Sequence, residues 1–525
     1  MVVEKLLKAR EHLQNLEFEP AFLLGQEIIA AEPDNGDALA LLARLSMESG
    51  TYLKALQYLE QARAAGHASV EADAVEARCL FMQANRERAV ALAKQVAETG
   101  SDDGAVLNMA ATVLSGTGNH AQAVGLYEKA TQLDDTKYGY FYNLGAALQI
   151  MGRFDDARAA FDRCLKLKPG YANALIGRTL ITKQTQKDND LESLVTAWNN
   201  RDPKDVDTGL QIAHAIAKLY EDLGQYDRVV PSLALGKSIK IATIPNRNDE
   251  DMACFDAAEE TARELNIASG TPADGPIIIT GMPRSGTTLT DRIISSHSQV
   301  TSAGELGDFS MHLRNAAGGL GRFEIDSRII RAAKTVDLGA VGEAYLNSVR
   351  DILEIEGRFT DKMPLNFMLV PAMLAALPTS RIIFMRRSPA DTLISNFRQV
   401  FSSEHPNYTY TLQLNDTANH VIRLHQLIKV YEEHLPADRF RVVDYESIVD
   451  DQESRTRELL DFCGLEFEQA CLDFHQNDAP IATASATQAR QPIFRSSLDR
   501  WKRYRPGVDP GLRILKEAGL LDEAL

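Results

Sequence analysis

The sequence predicts a two-part protein: an all-α solenoid of helical hairpins, followed by an α/β domain with a mostly parallel sheet. Three observations carry this reading. Alanine recurs every 34 residues, at Ala21, Ala55, Ala89, Ala123 and Ala157. Residues 276–293, PIIITGMPRSGTTLTDRI, read as a short buried strand, a glycine-flanked loop and the start of a helix. From there on, short apolar runs alternate with helical stretches, the pattern of strands joined by crossover helices. At 525 residues the chain is also too long for one ordinary core.

The repeat comes first along the chain. Ala93, Tyr127 and Phe161 share a second phase of the period, and Gly50, Gly118 and Gly152 a third. Small residues let two helices approach, glycine ends the first helix, and the aromatic fills the gap to the next hairpin. The clearest copy runs over 138–171, with Leu144, Gly145, Leu148, Gly152, Ala157, Phe161 and Pro169. This register resembles the tetratricopeptide repeat, two antiparallel helices per unit. Five regular units cover 2–171, and a degenerate pair, marked by Tyr220, Leu223, Gly224 and Tyr226, extends the expected repeat domain to 1–245. The register is lost from 238, and the turn-rich IASGTPADGP places a junction at 246–275. The repeat face binds a protein or peptide partner, or it braces the second part; the sequence leaves both open.

The second part is expected over 276–525. Its strands are 277–280, 381–385 and 440–443, with helices over 365–376, 389–402 and 415–434. The loop after the first strand is built as an anion cradle. Gly286 allows a tight turn, and the helix opened by Thr287 and Thr288 aims unpaired N–H groups and a positive dipole end at the loop. It resembles a Walker A loop, except that Thr287 stands where the lysine belongs and a cation appears earlier, as Arg284. A phosphate is expected here, without the usual ATP-hydrolysing apparatus.

Arg387 follows the strand at 381–385, and Ser395 lies eight residues on. A guanidinium fork and a hydroxyl suit a second phosphate, or else Arg386 and Arg387 make ordinary salt bridges. Taken together, these motifs resemble the sulfotransferases that use 3′-phosphoadenosine 5′-phosphosulfate (PAPS). PRSGTTL, with its arginine, is similar to the tyrosylprotein-sulfotransferase-like branch and its bacterial relatives. Gly304-Glu305 stands 21 residues after Arg284, and Asp361-Lys362-Met363-Pro364 matches a lysine motif ahead of the second phosphate site. Tyr445 and the basic tail with Arg490, Arg495, Arg500, Lys502, Arg503 and Arg505 fit the same pattern.

The resemblance implies roles. Ser285, Gly286, Thr287 and Thr288 hold the 5′-phosphate, while Arg387 and Ser395 hold the 3′-phosphate. Tyr445, Arg495, Arg500 and Lys502 lie along the nucleotide. Glu305 is the general base, with capping of a helix near Leu306 as its bland alternative and His297 as the runner-up base. Arg284 and Lys362 stabilise charge on the leaving phosphate. A late-loop serine contributes, Ser485 aligning best with Thr487 close by. PAPS is the donor co-substrate and no metal is required.

Other readings compete. A P-loop kinase or nucleotidase would turn over ATP with magnesium, and an inactive repeat scaffold would bind without turnover. The net charge of −17 excludes a general nucleic-acid binder. Five scattered cysteines read as buried apolar residues in a reducing compartment. The stretch MVVEKLLKAREHLQNLEFEP is charged throughout, and no run of about 18 apolar residues occurs. The expectation is a cytoplasmic protein with no membrane span, unlike the secretory enzymes of the tyrosine-sulfating branch. The acceptor stays open.

Overall fold

A computed structural model describes the chain except for residues 1, 16, 84, 246, 271–274, 320–324, 354–356, 402–405, 478–489 and 523–525. The chain divides into two compact units, Met1–Lys183 and Gln184–Leu525.

The first unit is a run of helical hairpins. Val2–Gln14 pairs with Phe18–Ala31, Gly36–Glu48 with Tyr52–Ala64, and Val70–Met82 with Arg86–Glu98. Gly104–Gly116 pairs with His120–Leu133, Tyr138–Ile150 with Phe154–Leu167, and a single helix, Ala172–Ile181, follows. Side chains of Asn35, Ser69 and Asp103 cap the first turns of three of the leading helices by accepting backbone N–H groups. The five alanines of the 34-residue phase are all fully buried. Gly50, Gly118 and Gly152 turn the chain after the first helix of their hairpins with φ of 75°, 90° and 76°, a conformation that costs side chains energy.

In the second unit, five parallel strands form one sheet in the order β2-β3-β1-β4-β5. They are β1 (Ile277–Thr280), β2 (Val300–Ser302), β3 (Arg358–Lys362), β4 (Arg381–Arg386) and β5 (Phe440–Asp444). β1 is central, paired to β3 and β4, and its four residues are buried on both faces. The expected strands β1, β4 and β5 are present, and β2 and β3 are additional. β3 reads RFTDK, with three charged residues in a strand that is buried throughout, so no apolar run announced it. The helix expected over 365–376 splits into a 3₁₀ turn, Pro364–Met368, and a helix, Val370–Ala376, with Pro371 in its first turn. The helix starting at Pro389 ends at Arg398, where Gln399 turns extended.

The compact units divide at 183/184, whereas the repeat register places its boundary after 245. Helices Val206–Asp222 and Val229–Ile241 belong to the second unit, and the expected junction contains a 17-residue helix, Asn248–Glu264. The reason is apolar burial: Val229, Leu233, Phe255 and Ala258 share one core with Phe367, Phe384 and Tyr431 around the sheet.

Candidate active site

The carboxyl ends of β1, β3 and β4 lie side by side, because the strands are parallel and adjacent, and each delivers one part of the site. After β1, residues 281–286 make a strained, close-packed loop. A Cβ on Gly281 would sit 2.3 Å from the Met385 carbonyl oxygen, and Arg284 holds φ of 68° although it is not glycine. Gly286 has φ of 103° and its Cα faces the Tyr445 ring, which a Cβ would meet at 2.4 Å. The helix Thr287–Ser295 starts directly from it. Thr287 and Thr288 are buried, and Ser285 Oγ is buried with no hydrogen-bond partner.

β4 delivers Arg387. Ser388 caps the following helix by accepting from Asp391 N at 3.4 Å, and Pro389 occupies its first turn. Arg387 donates to the Arg284 carbonyl at 3.1 Å, to Ser395 Oγ at 3.2 Å and to the Ser497 carbonyl. Its guanidinium also lies 5.0 Å from the centroid of the Tyr445 ring. Arg387 Nε is buried without a partner. Arg386 instead makes the ordinary salt bridge, to Asp444. Tyr445 donates to Ser497 Oγ at 2.9 Å, and Asp391 accepts from the backbone N–H groups of Asp499 and Trp501. The late segment around 497–501 is thereby fastened to the loop and to the helix of Ser395.

β3 delivers Lys362, 1% exposed, opposite Ile279 of β1. Glu305, exposed in the turn after β2, bonds its ammonium directly, and Lys362 N donates to the Gly304 carbonyl at 2.8 Å. The nearest helix begins at Asp308 with Gly307 at its cap position, so the Glu305 carboxylate serves Lys362 rather than a helix end. Behind them Asp291 is buried, accepting from Thr360 and Ser302 hydroxyls; burial raises its carboxyl above the usual range, opposed by those hydrogen bonds and by the charge of Lys362. Burial likewise pushes the Asp361 carboxyl up to about 7, against a hydrogen bond from the Tyr345 hydroxyl.

Arg284 feels the same physics with opposite sign. Burial first, then the charges of Arg398, Arg387 and Arg500, bring its guanidinium down to about 10, still cationic at neutral pH. Arg398 and Arg500 are in turn both bonded to Glu221. Neither Arg398 nor Glu221 is among the residues expected from the sequence. Arg398 had a signal, three residues past Ser395 on one helix face; Glu221, far upstream, had none.

The remaining expected residues fall elsewhere. Arg495 is exposed beside Asp450, and Lys502 is exposed on Asp499 and the Trp501 ring. Ser485 and Thr487 lie outside the described residues. His297 is buried, with Nε2 on the Glu466 carbonyl at 3.0 Å and Nδ1 accepting from Gln299 N. It satisfies backbone at the end of its helix.

Such an arrangement can hold two phosphates, remove a proton and absorb negative charge. Residues 276–469 match the sulfotransferase family, and residues 140–171 match the tetratricopeptide repeat. Residues 276–469 are a sulfotransferase-family domain. An uncharacterized protein of Aquifex aeolicus (strain VF5) is 27% identical over 414 residues, 75% of this chain and 52% of that protein. A protein-tyrosine sulfotransferase of Drosophila melanogaster is 23% identical over 244 residues, 44% of this chain and 48% of that protein. The chain thus spans about half the length of the curated relatives it matches. Among solved structures, the sulfotransferase domain from the curacin biosynthetic pathway is 18% identical, covering 47% of this chain and 99% of that one, with a TM-score of 0.33. YrrB, a tetratricopeptide-repeat protein with an unusual peptide-binding site, is 16% identical, covering 33% and 90%, with a TM-score of 0.25. Among the described residues, no helix is long and apolar enough to cross a membrane.

Proposed function

We propose that the second unit moves a sulfuryl group from PAPS to a hydroxyl acceptor, with a protein tyrosine as the leading candidate, and that the repeats recruit the acceptor or a partner protein. One observation carries the reading: Arg284, Lys362 with Glu305, and Arg387 with Ser395 stand at the ends of three adjacent strands. The buried, unpartnered Ser285 Oγ and Arg387 Nε fit a donor with two phosphates. In this reading the loop N–H groups, Ser285, Thr287 and Thr288 hold the 5′-phosphate, Arg387 and Ser395 the 3′-phosphate, and Tyr445 borders the nucleotide. Arg500 belongs to the site through its neighbours; Arg495 and Lys502, met by acids at the surface, would act only from the rim. Ser485 remains a candidate contributor.

Glu305 takes the acceptor proton as the acceptor oxygen bonds to sulfur. The bond from sulfur to the bridging phosphate oxygen breaks, and the electron pair leaves with the phosphate. Arg284 and Lys362 absorb the charge that builds there. Glu305 is paired with Lys362, and the base is released as the lysine turns to the leaving oxygen. Catalytic residues confined to 276 onward, on a unit that starts at 184, and a cytoplasmic location belong to the same proposal; five buried, free cysteines fit a reducing compartment.

Calorimetry tests the donor. The wild type should bind 3′,5′-diphosphoadenosine far more tightly than the same compound lacking the 3′-phosphate, and labelled sulfuryl should pass from PAPS to a hydroxyl acceptor. Glu305→Ala should lower transfer by roughly 10²–10⁴-fold with donor binding retained. Equal binding of the two nucleotides would sink the reading.

A further inference from the structure

Three arginines approach the loop of Arg284: Arg387 donates to the Arg284 carbonyl at 3.1 Å, Arg398 ends the helix whose Asn396 donates to the Pro283 carbonyl at 2.8 Å, and Arg500 precedes Trp501, whose N–H is held by Asp391 on that helix. Their charges add to burial in lowering the Arg284 guanidinium. Asp391 stands 3.7 Å from Arg387, but its oxygens are committed to the Asp499 and Trp501 backbone. A second acid, Glu221, arrives from the helix Val206–Asp222, outside the family-matched segment. One of its oxygens takes Arg398 and the other takes Arg500. Arg500 also donates to the Tyr504 hydroxyl at 3.4 Å, and the Arg398 guanidinium lies 5.4 Å from the centroid of the Tyr504 ring. Burial alone would raise the Glu221 carboxyl, yet Arg398 and Arg500 hold it below the ordinary glutamate range.

We propose that Glu221 is a positioning residue for donor binding: its two carboxylate oxygens hold Arg398 and Arg500 beside the phosphate loop and fasten the segment 494–504 there. The inference rests on the donor reading above and extends the site to a helix with no sulfotransferase signature. Two effects of removing the charge oppose each other. Loss of a negative group raises the local attraction for an anionic nucleotide. Loss of the tether frees two arginines whose side chains are already 24% and 19% exposed, and mutual repulsion turns them to water. The second effect dominates, because a donor must then gather mobile side chains that the protein had ordered in advance.

Calorimetry of the full chain with 3′,5′-diphosphoadenosine decides it. Glu221→Gln should raise Kd on the order of tenfold, with thermal melting little changed, and Glu221→Asp should recover part of the loss. Asp207→Asn, on the same helix and paired with Lys240, should bind like the wild type. Adding Glu221→Gln to Arg500→Gln should cost less than the sum of the two. If the wild type binds and Glu221→Gln binds equally or more tightly, this inference falls while the donor reading stands. If the wild type does not bind the nucleotide, both fall.

Discussion

Gly286 joins backbone conformation to ring packing: its φ of 103° and the Tyr445 ring each exclude a side chain for a separate reason. Gly286→Ala should therefore destabilise the second unit by about 1–3 kcal/mol and abolish nucleotide binding, read by denaturant titration and calorimetry. At this scale much of the candidate site's geometry was legible. The loop after β1 advertises itself by its glycine, and the eight-residue spacing of Arg387 and Ser395 is realised as a 3.2 Å hydrogen bond. Lys362 and Glu305, far apart in sequence, are directly paired. The basic tail was only partly legible. Clustering of cations along a sequence says nothing about which of them turn inward, and of Arg495, Arg500 and Lys502 only Arg500 does so.

At the level of elements, Phe161 shows how a repeat is specified. A Cβ on Gly145 would meet its ring at 2.7 Å and one on Gly177 at 2.6 Å, so the aromatic is seated between two glycine-lined helices. Phe161→Ala should cost the repeat unit about 3–5 kcal/mol, seen as an earlier thermal transition, with nucleotide binding by the second unit unchanged. The helical period was readable because the same packing problem is solved five times. β3 was not, because its charged residues are buried by tertiary partners: Asp361 by Tyr345 and Asn366, Lys362 by Glu305, and Arg358 by the Gly275 and Cys463 carbonyls. A periodicity argument assumes that polar side chains face water, and here they do not.

For the molecule as a whole, the sheet's core extends upstream of the family-matched segment. Phe255 contacts Phe367 and His420, and Lys237, fully enclosed, donates to the Gln399 and Thr411 carbonyls at 3.1 and 2.7 Å. A fragment covering 184–525 should fold cooperatively and bind nucleotide, whereas 276–525 should be insoluble or molten by near-ultraviolet circular dichroism. A well-packed 276–525 fragment would contradict this account. Local order along the chain carries the repeat period, the strand–loop–helix cradle and the spacing of its motif residues. Long-range packing sets where the second unit begins and which charges meet, for example Glu221 with Arg398 and Arg500. Such pairings depend on burial and distance between segments 177 and 279 residues apart in the chain, and no local propensity encodes them.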